Sequence, residues 1–88
     1  MPEALTRIVN PLGLHARAAA VLVREAAKYK SQIWVSVNGV TADGKSILGV
    51  LTLAASQGMD LAVKTEGEDA DAALAALLDL IGKGFGEI

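Results

Sequence analysis

The sequence contains no cysteine, one histidine and only three aromatic residues among its 88 positions. Without cysteine the chain forms no disulfide, has no thiolate nucleophile and offers no cysteine-based zinc site. A single histidine with scattered carboxylates has no recognisable metal-ligand spacing, so we expect neither a metal ion nor a cofactor. Because aromatic residues are scarce while hydrophobic residues make up 52% of the chain, we expect a core of aliphatic side chains.

A long hydrophobic run is also missing. The most apolar stretch, residues 47–55, is interrupted by Gly49 and Thr52 and is too short to span a bilayer. Residues 1–5 lack the basic and then apolar layout of a signal peptide. We therefore expect a cytoplasmic protein without membrane insertion, and the length of 88 residues predicts one small domain over residues 1–88.

The net charge of −2 is unevenly distributed along the chain. Residues 1–45 carry six Lys or Arg and three Asp or Glu, whereas residues 46–88 carry two and seven. The basic excess thus lies in the half that also contains the only histidine. Overall acidity and the lack of an arginine or lysine cluster argue against a nucleic-acid partner. A basic surface that docks an acidic protein fits this distribution better.

The only histidine, His15, follows a glycine turn at Gly13 and precedes an alanine-rich stretch, residues 16–28, that favours a helix. Histidine is the side-chain type suited to nucleophilic and acid-base chemistry near neutral pH. At a helix N-terminus it lies beside amide groups without intrahelical partners, which favour a bound anion. Arg17 adds a planar guanidinium suited to phosphate oxygens. These features predict a site that accepts a phosphoryl group.

Hydrophobic periodicity and turn residues predict four strands and three helices in the order β-α-β-β-α-β-α. Asn38-Gly39 predicts a type I′ hairpin between the second and third strands. The apolar segment 46–53 suits either a strand or a short buried helix, and Ser46 as an N-cap favours the helix. Asp69 is the predicted N-cap of the last helix. The predicted strands are 5–9, 32–37, 40–42 and 61–66, and the predicted helices are 15–28, 46–53 and 69–82.

The same periodicities assign faces to these elements. On a helix that advances about 100° per residue, Arg17, Arg24 and Lys28 fall within about 40° of one another and form an exposed basic ridge. This ridge is either an ordinary solvated face or a docking surface, and its alignment with His15 favours docking. An open sheet covered by helices on one face is the economical arrangement. The predicted inward residues are Ala19, Leu22, Val23 and Ala26, with Ala73, Leu74, Leu77, Leu80 and Ile81; the predicted outer sheet face carries Trp34, Ser36, Lys64 and Glu66.

Residues 13–20, Gly-Leu-His-Ala-Arg-Ala-Ala-Ala, resemble the active-site signature of HPr, the histidine phosphocarrier family of the bacterial phosphoenolpyruvate:sugar phosphotransferase system. Residues 45–51, Lys-Ser-Ile-Leu-Gly-Val-Leu, resemble the family's second signature, which surrounds a regulatory serine. Length, element order, the Asn38-Gly39 hairpin and residues 84–87 are similar too, so the resemblance covers the whole chain. It implies an α+β fold, an open-faced β-sandwich whose four-stranded antiparallel sheet carries three helices on one face.

The resemblance also implies roles for the residues at matching positions. His15 is expected to take a phosphoryl group on Nδ1 from phosphorylated Enzyme I and to pass it to IIA domains of sugar permeases. Arg17 and the backbone amides of Ala16 and Arg17 are expected to hold the phosphate. We accordingly expect a monomeric phosphocarrier rather than an enzyme. The expected partner-docking residues are Arg24, Lys28, Lys45, Ile47, Leu48 and Leu51.

Two further positions, Ser46 and Ala18, bear on regulation and on the first helical turn. Ser46 is an N-cap by its chemistry, and by resemblance it is also the site that HPr kinase/phosphorylase phosphorylates in many bacteria. A phosphate there adds about −1.5 to −2 charge beside the docking surface and opposes an acidic partner. Ala18 stands where the family usually has proline. Because alanine is the best helix former, we expect the first helical turn to survive with a loss of about 1 kcal/mol or less.

The sequence is also compatible with other functions. A regulatory module that signals through Ser46 alone is one alternative, although the active-site histidine is replaced in such relatives. A carrier of the nitrogen-type phosphotransferase branch, or one linked to a dihydroxyacetone kinase, is another. A ligand-binding α+β domain of ferredoxin-like shape ranks last, because the sequence has no polar pocket signature.

Overall fold

The computed structural model describes residues 2–88 and contains four strands and three helices in the predicted order. A short 3-10 turn, Gly84–Gly86, follows the last helix. Among the described residues no helix is long and apolar enough to cross a membrane. The strands are β1 (Glu3–Arg7), β2 (Gln32–Val37), β3 (Val40–Asp43) and β4 (Asp60–Glu66), and the helices are α1 (Ala16–Ala26), α2 (Ile47–Thr52) and α3 (Ala70–Gly82).

The four strands form one antiparallel sheet in the order β1-β4-β2-β3, which confirms the α+β fold. Asn38 and Gly39 join β2 to β3 with φ angles of 52° and 82°. Two successive positive φ angles are the signature of the type I′ turn, so this prediction is confirmed. Segment 46–53, for which a strand and a helix were both open, contains the helix α2.

The outer face of the sheet has the predicted composition. Lys64 of β4 is paired directly with Trp34 of β2 and with Glu3 of β1. Directly opposed residues project to the same side of a sheet. The Lys64 ammonium accordingly lies 5.8 Å from the centre of the Trp34 ring. Ser36 and Glu66 occupy the same face by alternation, as predicted.

The helices cover the other face and enclose an aliphatic core. α1 buries Ala19, Leu22 and Ala26 as predicted, while Val23 is only partly buried. In α3, Ala73, Leu77 and Ile81 are buried, and Leu74 and Leu80 are partly buried. The fully buried aliphatic residues contributed by the rest of the chain are Ile8, Ile33, Val35, Val50, Leu61 and Val63.

Two elements, β1 and α1, end two residues earlier than predicted. β1 begins at Glu3 and ends at Arg7, two residues earlier than the predicted 5–9. Leu5 is apolar yet 73% exposed, because the half-buried inward positions of this strand are Ala4 and Thr6. α1 is also shorter than predicted and ends at Ala26 rather than near residue 28.

Asp69 precedes α3 as predicted, but its side chain does not cap that helix. Its carboxylate instead accepts hydrogen bonds from the backbone N–H groups of Lys30 and Ser31, both at 2.9 Å, and from the Ser31 hydroxyl. These bonds hold the loop before β2 against the start of α3, and they lower the pKa of Asp69 from 3.8 to about 2. The predicted capping role is therefore replaced by a link between two distant segments.

Candidate functional site

The loop that carries His15 is held in place by glycine geometry and by a backbone contact. Gly13 has a φ of +64°, and a Cβ at this position would lie 2.4 Å from the carbonyl oxygen of Ala55. The next residue, Leu14, donates its N–H to that same oxygen at 2.9 Å. Only glycine combines this φ with so close an approach, so the loop is fixed against the segment that follows α2.

His15 lies at the N-cap position of α1, as predicted. Its backbone is extended, and its carbonyl accepts the first intrahelical hydrogen bond from Ala19 at 2.8 Å. Its imidazole forms no cap bond to the helix. The amides of Ala16, Arg17 and Ala18 therefore stand at the positive end of the helix without intrahelical acceptors. The first turn forms with Ala18 in place of the family's proline.

The imidazole is engaged from the other end of the chain. Its Nε2 lies 2.6 Å from Oε2 of Glu87, which follows the Gly84–Gly86 turn. The side chains are 29% and 14% exposed, so this pair is partly shielded from solvent. Because Glu87 occupies Nε2, the other ring nitrogen, Nδ1, is the one left for a reacting partner.

Asn10 connects Glu87 to the loop that carries His15. The Asn10 side chain is fully buried, and its Nδ2 donates to the Gly13 carbonyl at 2.8 Å and to Glu87 Oε1 at 2.9 Å. The hydrogen bonds from Asn10 and His15 and the positive charge of Arg17 outweigh partial burial and hold the pKa of the Glu87 carboxyl below its usual value. Glu87 is thus an ionised acceptor near neutral pH.

Arg17 lies beside this pair, at the edge of an open cleft of about 490 Å3. Its side chain is exposed, and it forms no ion pair with any of residues 2–88. A guanidinium in this setting keeps all its donors for an incoming anion. The cleft is lined by Pro11, Leu12, Arg17, Phe85, Gly86 and Glu87.

The predicted basic ridge is less uniform than the helical spacing suggests. Arg17, Arg24 and Lys28 are all exposed. Lys28, however, lies past the end of α1, and its ammonium contacts Glu25 at 3.1 Å. The ammonium of Lys45, a predicted docking residue, donates to the Tyr29 carbonyl at 2.6 Å.

α2 presents apolar side chains to solvent, as the sequence indicates. Ser46 is the N-cap, and its Oγ accepts the Gly49 N–H at 3.1 Å, so the capping prediction is confirmed. Ile47 is 43% exposed and Leu48 is 73% exposed. Leu51 differs, because it is partly buried and packs against the core.

Sequence reasoning missed Asn10, Glu87 and Leu12 as members of this region. Asparagine is mostly an exposed residue type, so the sequence gives no sign that the Asn10 side chain is fully buried. Glu87 lies 72 positions from His15, a separation at which periodicity and turn signals carry no information. Leu12 is 71% exposed and lines the cleft with Arg17. The only sequence signal that could have identified Leu12 is the presence of a large apolar residue in a turn.

Known proteins share this sequence pattern and this fold. The sequence pattern of the PTS HPr component phosphorylation site matches residues 3–83. The phosphocarrier protein HPr of Pseudomonas aeruginosa is 49% identical over 88 residues, which cover 99% of this chain and 98% of the relative. The crystal structure of HPr-C-His from Thermoanaerobacter tengcongensis gives a TM-score of 0.96 at 44% identity and covers 100% of this chain and 99% of that one.

A crystal structure of an HPr dimer from the same organism gives a TM-score of 0.79 at 45% identity, with coverage of 99% of this chain and 100% of that one. Sequence pattern, relatives and structures thus agree over nearly the full length. The chain belongs to the HPr family, the phosphocarrier proteins of the phosphotransferase system.

Proposed function

We propose that His15 accepts a phosphoryl group on Nδ1 from phosphorylated Enzyme I and passes it to IIA domains of sugar permeases. The observation that carries this proposal is the contact between His15 Nε2 and Glu87 at 2.6 Å. It engages one ring nitrogen and leaves Nδ1, at the start of α1, as the nucleophile. The protein then acts as a carrier with a phosphohistidine intermediate and not as an enzyme.

The chemistry follows from the groups around the ring. The Nδ1 lone pair attacks the phosphorus carried by the donor, a new N–P bond forms, and the bond between phosphorus and the donor breaks, its electron pair leaving with the donor. Arg17 and the free amides of Ala16 and Arg17 neutralise the charge on the transferred oxygens. The protein supplies position and charge, since the transfer needs no further covalent group.

Partners are proposed to dock on the surface that surrounds His15. Arg24 and Lys28 supply positive charge for an acidic partner, and Lys45, Ile47, Leu48 and Leu51 supply the neighbouring contacts. Exposed apolar side chains such as Leu48 lose water only when a partner covers them. We expect a cytoplasmic monomer in which residues 1–88 act as one domain. Size-exclusion chromatography with light scattering tests this expectation against a dimer like that of the relative.

Regulation is proposed at Ser46. Its hydroxyl is partly exposed at the start of α2, directly before the apolar residues Ile47 and Leu48. A phosphate there, added by HPr kinase/phosphorylase, suits the positive end of α2 but places negative charge beside the docking surface. Phosphorylation of Ser46 is therefore expected to weaken the encounter with an acidic Enzyme I.

The first test incubates the protein with phosphoenolpyruvate and Enzyme I and follows intact mass. The wild type is expected to gain one acid-labile, base-stable phosphate, and His15→Ala is expected to gain none. Arg17→Ala is expected to keep the fold and slow transfer by about 10-fold or more, because the arginine stabilises charge that develops during transfer. Labelling retained in His15→Ala contradicts the proposal, and an unchanged rate in Arg17→Ala removes Arg17 from it.

A further inference from the structure

We propose that Glu87 and Asn10 are positioning residues that hold the His15 proton on Nε2, so that Nδ1 always presents its lone pair to the phosphoryl donor. This inference deepens the proposed function and rests on it. It assigns a role to two residues that never touch the phosphoryl group.

The orientation of the Asn10 amide is fixed by its hydrogen bonds. Its two contacts, the Gly13 carbonyl and Glu87 Oε1, are both acceptors, so the amide nitrogen must be the atom that faces them. Asn10 is fully buried, and the Gly13 bond anchors it to the backbone of its own loop. Its amide therefore presents a fixed donor to Glu87.

In the hydrogen bond between Glu87 and His15, the carboxylate is the acceptor and the ring is the donor. An ionised carboxylate has no hydrogen to donate, so it accepts from both neighbours. Asn10 occupies Oε1 and the ring occupies Oε2. Nε2 of His15 must then carry a hydrogen. In a neutral imidazole this leaves Nδ1 as the nitrogen with the free lone pair.

The charge of the His15 ring changes during the transfer, while its hydrogen stays on Nε2. When Nδ1 of the neutral ring bonds to phosphorus, the ring becomes a phosphorylated imidazolium, and its hydrogen remains on Nε2. The Glu87 carboxylate, 2.6 Å away, balances this positive charge. When an acceptor takes the phosphoryl group, the N–P electron pair returns to Nδ1 and the neutral ring is restored. Neither half of the cycle moves a proton.

The decisive variant is Glu87→Gln, which has the same shape as wild type. Asn10 can donate only to the carbonyl oxygen of the new glutamine amide. The NH2 group of that glutamine must therefore face the His15 ring. His15 Nε2 then becomes an acceptor, and the ring hydrogen moves to Nδ1. In a Ser-His-Asp triad the corresponding acid-to-amide change costs about 10⁴-fold through the wrong tautomer. For this more exposed ring we expect phosphorylation by Enzyme I to slow by about 10- to 100-fold.

Glu87→Ala is the comparison that separates positioning from simple support. It removes the acceptor without supplying a donor, so the ring keeps its intrinsic tautomer balance. The rate of phosphorylation by Enzyme I is therefore expected to fall less than in Glu87→Gln. A purely structural role predicts the opposite order, because glutamine preserves the packing and alanine does not. Glu66→Gln makes the same acid-to-amide change on the outer face of the sheet and is expected to leave the rate unchanged.

The tautomer itself is read from the ¹⁵N shifts of the His15 ring at a pH where the ring is neutral. Wild type is expected to show hydrogen on Nε2, and Glu87→Gln is expected to show hydrogen on Nδ1. This measurement uses unphosphorylated protein, so its outcome does not depend on the proposed function, which is tested separately by the labelling of the wild type and of His15→Ala. Wild-type shifts in Glu87→Gln, or a slower rate in Glu87→Ala than in Glu87→Gln, overturn the inference.

Asn10 is tested in the same spectra by adding Asn10→Ala to Glu87→Gln. Without the Asn10 donor, the new amide is free to turn its oxygen towards the ring, and hydrogen is expected to return to Nε2. Asn10→Leu, which is close in size to asparagine and also lacks a donor, serves the same purpose if the alanine variant does not fold. Ring shifts that stay as in the single Glu87→Gln variant show that Asn10 does not set the orientation.

Discussion

Ser46 combines two roles in one hydroxyl. Its Oγ accepts the Gly49 N–H at 3.1 Å and so completes the first turn of α2. The same oxygen is the proposed acceptor of a regulatory phosphate. Gly49 is close enough that a Cβ at its position would lie 3.3 Å from this oxygen, which leaves the cap little free space. Stability and regulation thus depend on one atom, and substitutions can separate them.

Ser46→Ala and Ser46→Asp are expected to differ in a defined way. Alanine removes the cap, so the free energy of unfolding in urea is expected to fall by about 1 kcal/mol, with little effect on phosphoryl transfer. Aspartate retains a cap acceptor and therefore most of the stability, but its charge is expected to slow transfer from Enzyme I. Transfer at the wild-type rate in Ser46→Asp would contradict the proposed regulation.

The link between Asp69 and the loop before β2 operates between elements. Its carboxylate binds two backbone N–H groups and a hydroxyl, which together lower its pKa to about 2. Gly67 has a φ of +145°, and a Cβ there would lie 2.7 Å from the Ser31 Cα, so the two loops are in close contact. Asp69 therefore holds the loop before β2 against the start of α3.

This link predicts a specific dependence of stability on pH. Because the folded pKa of Asp69 lies below the ordinary 3.8, its stabilisation is complete above that value and is lost as pH falls through about 2. Asp69→Asn cannot become ionised, so the difference in unfolding free energy between wild type and variant is expected to be constant from pH 7 to about 5 and to shrink towards pH 2. Urea unfolding across this range measures it, and a difference independent of pH would contradict the link.

The sequence predicted elements well where the signal is local and poorly where it is not. β2 was predicted with its observed bounds, because alternation of Ile33, Val35 and Val37 is a property of that segment alone. The position of Asp69 was also correct. The predicted capping role was wrong, because an aspartate that caps a helix and an aspartate that binds Ser31 cannot be distinguished from the sequence. β1 was misplaced because the apolar Ile8 and Val9 extend the strand pattern past Arg7, whereas the pairing with β4 ends at Arg7 and Asp60.

At the scale of the whole molecule, the candidate site joins segments from both ends of the described chain. His15 was found from its neighbours, since a glycine, an arginine and a helix start are all adjacent to it. Glu87 was not, because only the folding of α3 back along β1 and β4 brings residues 84–88 to the loop at Asn10. A site built across 72 positions has no local pattern to recognise.

The exposed apolar residues provide the last prediction. Leu48 and Leu5 are equally exposed, each at 73%, yet Leu48 lies on α2 and Leu5 lies on the outer face of the sheet. Glutamate at either position removes little buried apolar area, so both variants are expected to unfold within about 0.5 kcal/mol of wild type. If partners dock beside His15, Leu48→Glu must raise the KM for phosphorylated Enzyme I, because it places a charge against an acidic and apolar surface. Leu5→Glu must leave that KM unchanged, since the sheet separates it from the helices.

Transfer kinetics over a range of Enzyme I concentrations measure the KM of both variants. An equal rise in the two variants would mean that added negative charge repels the partner at a distance, and no rise in Leu48→Glu would move the docking surface away from α2.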